Sequence, residues 1–393
     1  MSARDGQRPK IAHITTIDLS LRVLLLNQLR AIADAGYDVT GISADGPHVR
    51  AVEEAGIRHI AVPMTRRMAP LADLVSLIRL YRVMRRERFT IVHTHNPKPN
   101  LFGQIAARAA GVPVVLSTVH GYYFHDRMPP LRRRVLILLE KLAARCSHLI
   151  LSQSREDVET AVEEGIAPRD RVELLGNGID VTRFDRATLS DDVLRATRRE
   201  LGIPDGAPVV GFVGRLVAEK GILELMEAAR EILRRFPTAK FLLVGPRDPE
   251  KADAINPELT ARLGLGDALV FAGMRQDMPA MYALMDVFAL PSHREGFPRS
   301  PMEASAMGVP CVVTDIRGCR EAVVSGENGV FVPPRDAPAL ADAIIALLAD
   351  PARAAALGRA GVRFAALRFD ERRVFAHVLE AYERLQAARQ SAR

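Results

Sequence analysis

The chain has few cysteines, and they form no pattern that would hold a metal ion or a disulfide framework. Cys146, Cys311 and Cys319 are odd in number and widely separated. Secreted domains that depend on disulfides carry paired cysteines at regular spacing, whereas scattered thiols are typical of a reducing compartment. We therefore expect a cytoplasmic protein without structural disulfides.

Long apolar runs are also missing. Charged residues interrupt every hydrophobic stretch well before it reaches the length that crosses a bilayer. No early segment combines a basic start, an apolar run and a small-residue cleavage site. We therefore expect neither a transmembrane helix nor a signal peptide. Hydrophobic residues make up 48% of the chain and charged residues 26%, the composition of a globular protein.

Two common signatures of nucleotide and nucleic acid binding are absent. The strand candidates that end near residues 15 and 213 are not followed by the glycine spacing of a dinucleotide-binding loop. The basic residues of the first half have no aromatic residues interleaved among them and belong to no recognised nucleic-acid-binding module. We expect no nucleic acid partner.

Positive charge is concentrated in one part of the chain. The net charge is +7, but residues 58 to 145 hold sixteen Lys and Arg against four acidic residues. An excess of +12 is self-repelling unless an anionic partner is present. We expect this segment to meet an anionic membrane or a phosphorylated substrate, with the apolar run 135–139 packed on the sheet and the arginines around it in solvent.

Short runs rich in Val and Ile alternate with longer amphipathic stretches along the whole chain. This alternation predicts parallel sheets with helical crossovers, and 393 residues are too many for one core, so two doubly wound α/β domains are expected. The strand candidates are residues 11–15, 39–43, 59–62, 90–94, 114–119 and 148–152, then 209–213, 240–244, 269–272, 287–290, 311–314 and 330–332.

The informative polar residues follow strands, where open parallel sheets bind their ligands. Gly214 and Arg215 come directly after the strand candidate 209–213, and Lys220 opens a long amphipathic helix. A helix start offers unpaired N–H groups, an arginine can fork across two oxygens, and a lysine supplies a mobile point charge. This loop suits a diphosphate.

Two glutamates lie eight positions apart around the Gly-Phe-Pro turn at 296–298. Ser300, Pro301 and Glu303 have the form of a capping box, so a cap and a contact with a ribose hydroxyl are both open for Glu303. Glu295 ends no element that needs a cap. It lies where a sugar or a similar polyol would be held.

These segments resemble the retaining glycosyltransferases of family 4, which have the GT-B fold. The stretch PSHREGFPRSPMEASAMGVPCVVTD with its two glutamates, together with FVGRLVAEKG and LLGNGIDVTRF, is similar to that family's landmarks in order and distance. HTHNPKPNLFGQIAARAAGVPVV and STVHGYYF resemble the branch that builds capsular polysaccharide, O-antigen and protein-linked glycan precursors on a lipid carrier.

The resemblance implies a GT-B architecture of two facing Rossmann-like domains with a cleft between them. Residues 1–183 would form the acceptor-binding domain and residues 184–369 the nucleotide-sugar-binding domain. Residues 370–393 would form a helix that crosses back toward the first domain.

The resemblance also implies roles for individual residues. Arg215 and Lys220 would stabilise the leaving diphosphate, Glu295 would hold the transferred sugar, and His120 would approach that sugar from the first domain. The remaining donor contacts would come from Gly214, Met274, Arg275, Gly296, Phe297, Pro298 and Glu303, with the backbone at Met274 and Arg275 against the nucleobase.

Acceptor contacts would come from Ser20, His95 and Lys98. Many members of the family carry a Gly-Gly pair after the first strand, but here residues 16–20 contain no glycine, so the contribution of that loop is open. His93 and His95 form an HxH pair that could bind a metal, yet the sequence offers no third ligand. We therefore expect no metal and no other cofactor.

The resemblance implies the retaining, metal-independent transfer of a sugar from a nucleotide donor. It favours a UDP-linked, N-acetylated hexose as that donor. The acceptor would be a lipid-linked or soluble saccharide, and the enzyme would be cytoplasmic or peripheral at the inner face of the plasma membrane. Two alternatives stay open. One is a nucleotide-sugar epimerase of similar fold, and the other is a non-catalytic nucleotide-sugar-binding partner subunit.

Overall fold

The computed structural model describes residues 8–65, 69–125, 128–246 and 264–391. The chain divides into two compact units, Met1–Gly176 with Arg373–Arg393, and Asn177–Arg372. Three of the sixteen basic residues of segment 58–145 lie outside the described residues: Arg66, Arg67 and Arg127. Residues 1–7 of the predicted first domain and residues 392–393 of the predicted C-terminal helix also lie outside them.

The first unit contains a seven-stranded parallel sheet in the order β3-β2-β1-β4-β5-β6-β7. Apolar side chains cover both of its faces, so the strands are buried on both sides, as expected of parallel strands between helices. The strands are β1 Lys10–Ile17, β2 Asp38–Ala44, β3 Arg58–Ala61, β4 Ile91–His95, β5 Val114–Val119, β6 Leu149–Ser152 and β7 Val172–Leu174.

Helices connect these strands on both faces of the sheet. They are α1 Asp18–Ser20, α2 Leu26–Asp34, α3 Val49–Glu54, α4 Pro70–Glu87, α5 Gln104–Ala109, α6 Pro130–Cys146 and α7 Arg155–Glu163, with π-helical turns at Leu21–Leu25 and Pro99–Gly103. The last helix of the chain, Glu371–Ser391, joins this unit from Arg373 onward, and its Val378, Ala381 and Tyr382 are buried in the core of the first unit.

The second unit contains a six-stranded parallel sheet in the order β10-β9-β8-β11-β12-β13. The strand order reverses at β8, which pairs with β9 on one side and β11 on the other. The strands are β8 Val209–Val213, β9 Lys240–Val244, β10 Leu269–Gly273, β11 Val287–Leu290, β12 Cys311–Thr314 and β13 Gly329–Val332. The prediction of two parallel α/β domains is confirmed.

The helices described in the second unit are α8 Asp191–Glu200, α9 Ile222–Arg235, α10 Met278–Ala283, α11 Arg299–Ala306, α12 Cys319–Ala322, α13 Ala337–Ala349 and α14 Pro351–Arg368; the C-terminal helix Glu371–Ser391 is α15. Side-chain caps fix several starts: Asp336 accepts from the Ala339 N–H at 2.9 Å, and Asp350 accepts from the Arg353 N–H at 3.0 Å. No helix among the described residues is both long and apolar enough to span a membrane.

The capping box predicted at Ser300 is wrong. The helix begins at Arg299, and its N-cap is Pro298, which makes no side-chain cap bond. Ser300 therefore lies inside the helix, and Glu303 lies beyond the first turn. A capping role no longer accounts for Glu303.

The expected packing of the apolar run 135–139 is only partly correct. Ile137 is buried, but Val135 and Leu138 have 49% and 65% of their surface exposed. Helix α6 is amphipathic with a period near 3.6, so residues of a continuous apolar run must point in several directions. The exposed apolar residues need another explanation.

Gly178 allows two backbone segments of the second unit to cross. A Cβ at this position would lie 2.6 Å from the Glu371 Cα and 2.8 Å from its N. The Ile179 N–H donates to the Phe369 carbonyl at 2.7 Å and the Glu371 N–H donates to the Ile179 carbonyl at 3.1 Å, so the two backbones are already in hydrogen-bonding contact. Neither segment can withdraw without losing these bonds.

We therefore expect Gly178→Ala to lower the free energy of unfolding by about 1–3 kcal/mol, the usual cost of overpacking, as measured by thermal or denaturant melting. Gly103→Ala is the matched control, because the atoms nearest its Cβ are the side-chain tips of Thr94 and Ile14, which can shift. Equal losses in the two variants would contradict the account of the crossing.

Candidate functional site

The central loops of the second unit lie at the reversal point of its sheet. Arg215 and Lys220 follow β8, and Glu295 follows β11, the strand that pairs with β8. Parallel neighbours end at the same edge of a sheet, so these loops meet there. The edge where they meet is the expected position of a ligand site in a doubly wound fold.

An ion pair joins the two loops. The Lys220 Nζ donates to the Glu295 Oε1 at 2.6 Å, and the Ser292 hydroxyl donates to the same oxygen at 2.7 Å. The two charged side chains are 19% and 8% exposed, so their contact is largely shielded from water. Sequence reasoning singled out both residues but not their pairing.

Gly221 makes this approach possible. Its φ is 71°, and a Cβ would lie 1.9 Å from the Pro291 carbonyl oxygen in the loop that follows β11. Glycine adopts this left-handed conformation without the steric cost of a side chain. Gly221 is also the N-cap of α9, so the start of that helix lies directly against the opposite loop.

Arg215 lies at the rim of this edge. Its side chain is 35% exposed, and its guanidinium is 4.0 Å from the Glu219 carboxylate, which also accepts two bonds from Arg294 at 2.9 and 3.1 Å. Gly214 comes directly before it, and the Gly214 N–H donates to the Val244 carbonyl at 2.9 Å. The loop thus presents two cations to the sheet edge.

A buried tyrosine donates a hydrogen bond to the Glu303 carboxylate. The Tyr282 hydroxyl donates to the Glu303 Oε2 at 2.7 Å, and Tyr282 is fully buried. Burial raises the pKa of Glu303, while the bond from Tyr282 and the nearby charge of Arg299 act in the opposite direction. The carboxyl is therefore fixed in position on one side.

Arg299 and Asn177 are site residues that sequence reasoning missed. The Asn177 side chain donates to the Phe297 carbonyl at 2.8 Å and accepts from the Arg299 Nε at 3.4 Å. Burial lowers the pKa of Arg299, and the charges of Glu371 and Glu303 raise it. Asn177 thereby fixes the Gly-Phe-Pro turn, and its place in the landmark LLGNGIDVTRF was the available signal.

Met274 and Arg275 follow β10 at an outer strand of the sheet. Met274 is 55% exposed. The Arg275 guanidinium is engaged by Glu200 at 2.5 Å and Asp277 at 2.7 Å, and these bonds raise its pKa. The Arg275 side chain thus braces the loop, and the backbone is the part that a nucleobase could meet.

In the first unit, His120 follows β5 and lines a cavity of about 150 Å³. Glu140 of α6 lines the same cavity, and burial raises the pKa of its carboxyl to about 7. Asn96 has a φ of 73°, and its Oδ1 is buried without a hydrogen-bond partner. The remaining lining residues are Pro97, Asn100, Val119, Gly121, Tyr122 and Tyr123.

Glu140 was counted only as an acidic residue of the basic segment, and nothing in the sequence marks it as a site residue. Glu140 and His120 line one cavity, and α6, which carries Glu140, packs against the segment formed by Pro99–Gly103 and Gln104–Ala109. A carboxyl that keeps its proton near neutral pH can donate a hydrogen bond as well as accept one.

His95 lies beneath the cavity and is 1% exposed. Its Nδ1 is 3.1 Å from the His120 Nε2, and its Nε2 is 3.0 Å from the His13 Nδ1. His13 is aligned with His93 in the register of β1 and β4, so it supplies the third histidine that the HxH pair lacked in the sequence.

One ring nitrogen from each of His13, His93 and His95 lies within 4.8 Å of the other two, a spacing that a metal ion could use. All six ring nitrogens of these histidines have a hydrogen-bond partner within the first unit. A metal would have to displace those bonds. Hydrogen bonds within the first unit therefore already satisfy the ring nitrogens that a metal ion would use.

Lys98 and Ser20 differ in their surroundings. Lys98 is 7% exposed, and its ammonium donates to the Asp73 Oδ1 at 2.5 Å and to the Thr65 hydroxyl at 3.1 Å. Ser20 ends the short helix that follows β1, where Asp18 accepts from the His48 N–H at 2.7 Å. An acceptor phosphate would have to share Lys98 with Asp73.

Both halves of the chain match known families. Residues 21–183 match Glycosyltransferase Family 4, and residues 195–364 match Glycosyl transferases group 1. An Escherichia coli UDP-Gal:alpha-D-GlcNAc-diphosphoundecaprenol alpha-1,3-galactosyltransferase is 30% identical over 87% of this chain and 88% of its own length. The chain belongs to the family 4 glycosyltransferases. The resemblance stated from the motifs is confirmed.

Two further relatives extend the comparison. The capsular polysaccharide biosynthesis glycosyltransferase CapM of Staphylococcus aureus is 30% identical over 90% of this chain and 91% of its own length. The crystal structure of Anabaena HepE in complex with UDP and glucose covers 96% of this chain and 100% of its own, with a TM-score of 0.82 and 22% identity. This structural likeness confirms the predicted GT-B fold.

The raised pKa of Glu140 gives this glycosyltransferase a specific pH dependence. Between about pH 4.5 and pH 7 the unfolded chain ionises Glu140 while the folded protein keeps its proton, so the stability contributed at low pH is lost as the pH rises. We expect Glu140→Gln to melt at a higher temperature than the wild type at pH 8 and at the same temperature near pH 4.

Thermal melts across this pH range test the expectation, with Glu159→Gln as the control because that glutamate is 51% exposed on the neighbouring α7. A stability difference that is the same at pH 4 and pH 8 would show that the Glu140 carboxyl does not titrate as described.

Proposed function

We propose that this glycosyltransferase moves a hexose from a UDP-linked donor to a hydroxyl of a lipid-linked saccharide, with retention at the anomeric carbon. The observation that carries the proposal is the meeting of Arg215, Lys220 and Glu295 at the reversal point of the second sheet. The name of the Escherichia coli relative, with its UDP-Gal donor and its diphosphoundecaprenol-linked acceptor, supports the choice of substrates.

The donor diphosphate would lie against the loop that follows β8. Lys220 and Arg215 supply two positive charges there, and α9, which spans 14 residues, begins at Ile222 directly after its N-cap Gly221. The first-turn N–H groups and the positive dipole end of such a helix favour an anion. The Glu295 carboxylate keeps the Lys220 ammonium in place before the donor arrives. A preorganised cation stabilises charge on the leaving diphosphate without having to move during the reaction.

The glutamates would hold the two sugars of the donor. Glu303, fixed by Tyr282, would accept from a ribose hydroxyl. The Glu295 Oε1 accepts the bonds from Lys220 and Ser292, so its Oε2 could accept from a hydroxyl of the transferred sugar. The backbone of the turn at 296–298 would supply further contacts to that sugar, as Met274 and Arg275 would to the base.

In the proposed reaction, the bond between the anomeric carbon and the diphosphate oxygen breaks, and a bond to the acceptor oxygen forms on the same face. The proton of the acceptor hydroxyl passes to the departing diphosphate. Arg215 and Lys220 stabilise that anion, the role that a divalent cation has elsewhere, and correct positioning of the acceptor supplies much of the remaining rate enhancement. We propose that no metal ion takes part.

The cavity beside His120 is the proposed acceptor end of the first unit. Hydroxyl groups of a saccharide could bond to the Asn96 Oδ1, the Glu140 carboxyl and the His120 ring, and Tyr123 has 55% of its surface exposed for stacking. His95 is buried, so we propose that it acts through His120. Lys98 remains a proposed contact to an acceptor phosphate, and Ser20 remains a proposed contact to the acceptor.

Two exposed apolar stripes support membrane docking of the first unit. Both α4 and α6 pack against the segment formed by Pro99–Gly103 and Gln104–Ala109, so they lie on the same face of the sheet. Their exposed apolar residues recur at three- and four-residue spacing, which marks one face of each helix. These residues are Leu71, Leu74, Val75 and Ile78 on α4, and Leu131, Val135, Leu138 and Leu142 on α6.

Arginines flank both stripes, including Arg132, Arg133 and Arg134 on α6. An apolar stripe bordered by basic residues is typical of helices that lie in the plane of a membrane interface. Each basic residue near an anionic leaflet contributes about 1 kcal/mol, so the arginines and the leucines would act together. We propose that this face binds the inner leaflet of the plasma membrane, where a lipid-linked acceptor is presented.

Product analysis separates this function from its alternatives. Incubation with UDP-hexoses and a diphosphoundecaprenol-linked saccharide, with and without EDTA, should yield an α-linked product by NMR in both cases. Conversion of the donor to its epimer without an acceptor would favour the epimerase. Donor binding without any turnover would favour the non-catalytic subunit.

Removing either cation should impair the chemical step. We expect Lys220→Ala and Arg215→Ala each to lower kcat by about 10²–10³-fold, the usual cost of losing one charge-stabilising group at a reacting centre, in the transfer assay. Lys240→Ala is the matched control, because this lysine lies at the opposite edge of the same sheet and bonds to the Asp267 carbonyl. Normal turnover by Lys220→Ala would overturn the diphosphate assignment.

Removing one apolar residue of the docking face should weaken membrane binding. We expect Leu138→Glu to reduce co-sedimentation with anionic vesicles at least about tenfold, because a charge replaces roughly 2 kcal/mol of inserted side chain. Leu367→Glu is the control, since Leu367 is 64% exposed on α14 of the second unit and Leu138 is 65% exposed. Equal loss in both variants would contradict a specific docking face.

A further inference from the structure

A hydrogen-bonded series of five buried or half-buried rings runs through the first unit and ends at His120, which lines the proposed acceptor cavity. It begins at His93, whose Nδ1 is 2.7 Å from the Tyr382 hydroxyl, and that hydroxyl is 3.0 Å from the His13 Nε2. From there the chain continues through His95 to His120. Tyr382 belongs to α15 and is far from these histidines in sequence.

The chain can be hydrogen-bonded in two complete arrangements. A neutral imidazole carries one N–H donor and one acceptor nitrogen, and a tyrosine hydroxyl can donate once and accept at the same time. If Tyr382 donates to His13, every later ring must donate toward His120. If His120 donates to His95, every bond runs in the opposite direction and Tyr382 donates to His93. Each arrangement satisfies all the ring nitrogens that face another member of the chain.

At the His93 end of the ring series, the Thr118 hydroxyl completes both arrangements. The His93 Nε2 is 2.7 Å from the Thr118 hydroxyl, which can donate to the ring or accept from it. The three inner histidines are at most 1% exposed. Burial holds the pKa of His13 at about 3 and the pKa values of His93 and His95 well below their usual range. The inner rings therefore stay neutral at physiological pH, and protons can move along the chain only by a change of tautomer.

The two arrangements differ at His120. When His95 donates to the His120 Nε2, a neutral His120 ring carries its single proton on Nδ1. When a neutral His120 ring donates from Nε2 to His95, its Nδ1 carries no proton. The direction of bonding inside the unit thus decides which nitrogen of the neutral His120 ring carries the proton.

We propose that His13, His93, His95 and Tyr382 form a tautomer relay that positions the proton of His120 for the transfer reaction. The relay rests on the proposed function, in which the His120 ring bonds to a hydroxyl of the acceptor. Its members touch no substrate and act through His120. Tyr382 couples the two parts of the relay, because its hydroxyl bonds to both His93 and His13.

Tyr382→Phe tests the relay with the least change of shape. The variant removes the hydroxyl that bonds two histidines, so the relay no longer fixes His120, and kcat should fall at least about tenfold with donor and acceptor KM little changed. Tyr37→Phe is the matched control: Tyr37 packs edge-on against Tyr382 at 6.0 Å, and its hydroxyl bonds to Gln386 at 3.5 Å outside the relay. It should leave kcat unchanged.

A double-mutant cycle separates the relay from general structural support. If Tyr382 acts through His120, then adding Tyr382→Phe to His120→Ala should cost no further activity per folded molecule. Additive losses would overturn the proposal. Thr118→Val and Thr118→Ser give a second pair in case Tyr382→Phe folds poorly: the serine keeps the hydroxyl and should retain activity, whereas the valine should lose it.

Nitrogen-15 NMR of the histidine rings reads the relay without any activity assay. The wild type should show His120 in one dominant neutral tautomer, and Tyr382→Phe should change the proportion of the two tautomers while Tyr37→Phe does not. An unchanged His120 spectrum in Tyr382→Phe would refute the relay. Suppose instead that Tyr382→Phe shifts the His120 tautomers but His120→Ala transfers sugar at the normal rate. The proposed role of His120 then fails, and the relay stands.

The same samples distinguish the relay from a metal site. Elemental analysis of the purified protein should find no zinc or other transition metal at one ion per chain, since the nitrogens concerned bond to one another and to hydroxyls. A stoichiometric ion that is lost in His93→Asn would replace the relay with a metal centre.

Discussion

The ion pair between Lys220 and Glu295 is the contact on which the proposed function of the second unit depends. It joins the loops that follow β8 and β11, two strands that are neighbours in the sheet but far apart in sequence. Gly221 lets the loops approach, because any side chain there would collide with the Pro291 carbonyl. A carboxylate that is mostly buried beside the ammonium keeps the cation oriented toward the sheet edge, where a diphosphate can join the pair. Catalysis by charge stabilisation requires such preorganisation.

In the first unit, a parallel sheet of the same kind brings histidines together instead of an ion pair. Parallel strands place His13 beside His93 in register, and β5 brings His120 to the end of the neighbouring strand, so four histidines from three strands come into one hydrogen-bonded series. The C-terminal helix adds Tyr382 to that series and so ties the end of the chain to the proposed acceptor cavity. On the outside of the same unit, α4 and α6 present apolar stripes and arginines to the solvent.

Much of this could be predicted from the sequence, and the failures have physical causes. The alternation of short apolar runs with helices predicted both parallel sheets, although the three-residue strand β7 was too short to produce a signal. Lys220 and Glu295 were found because each lies in the segment that follows a strand. His13, Tyr382 and Glu140 were missed because their significance depends on strand register and helix packing between distant segments. The capping box failed because the helix begins at Arg299, two residues before the predicted first position Pro301, which a pattern of residue types cannot reveal.

A crystal structure of the protein with UDP bound would test the central claim most directly, by the distances from the β-phosphate oxygens to the Lys220 Nζ and the Arg215 guanidinium. The account predicts both cations within hydrogen-bonding distance of the diphosphate, the start of α9 directed at it, and the Glu303 carboxylate on the ribose. A diphosphate bound away from Lys220, with the Lys220–Glu295 pair undisturbed and unshared, would contradict it.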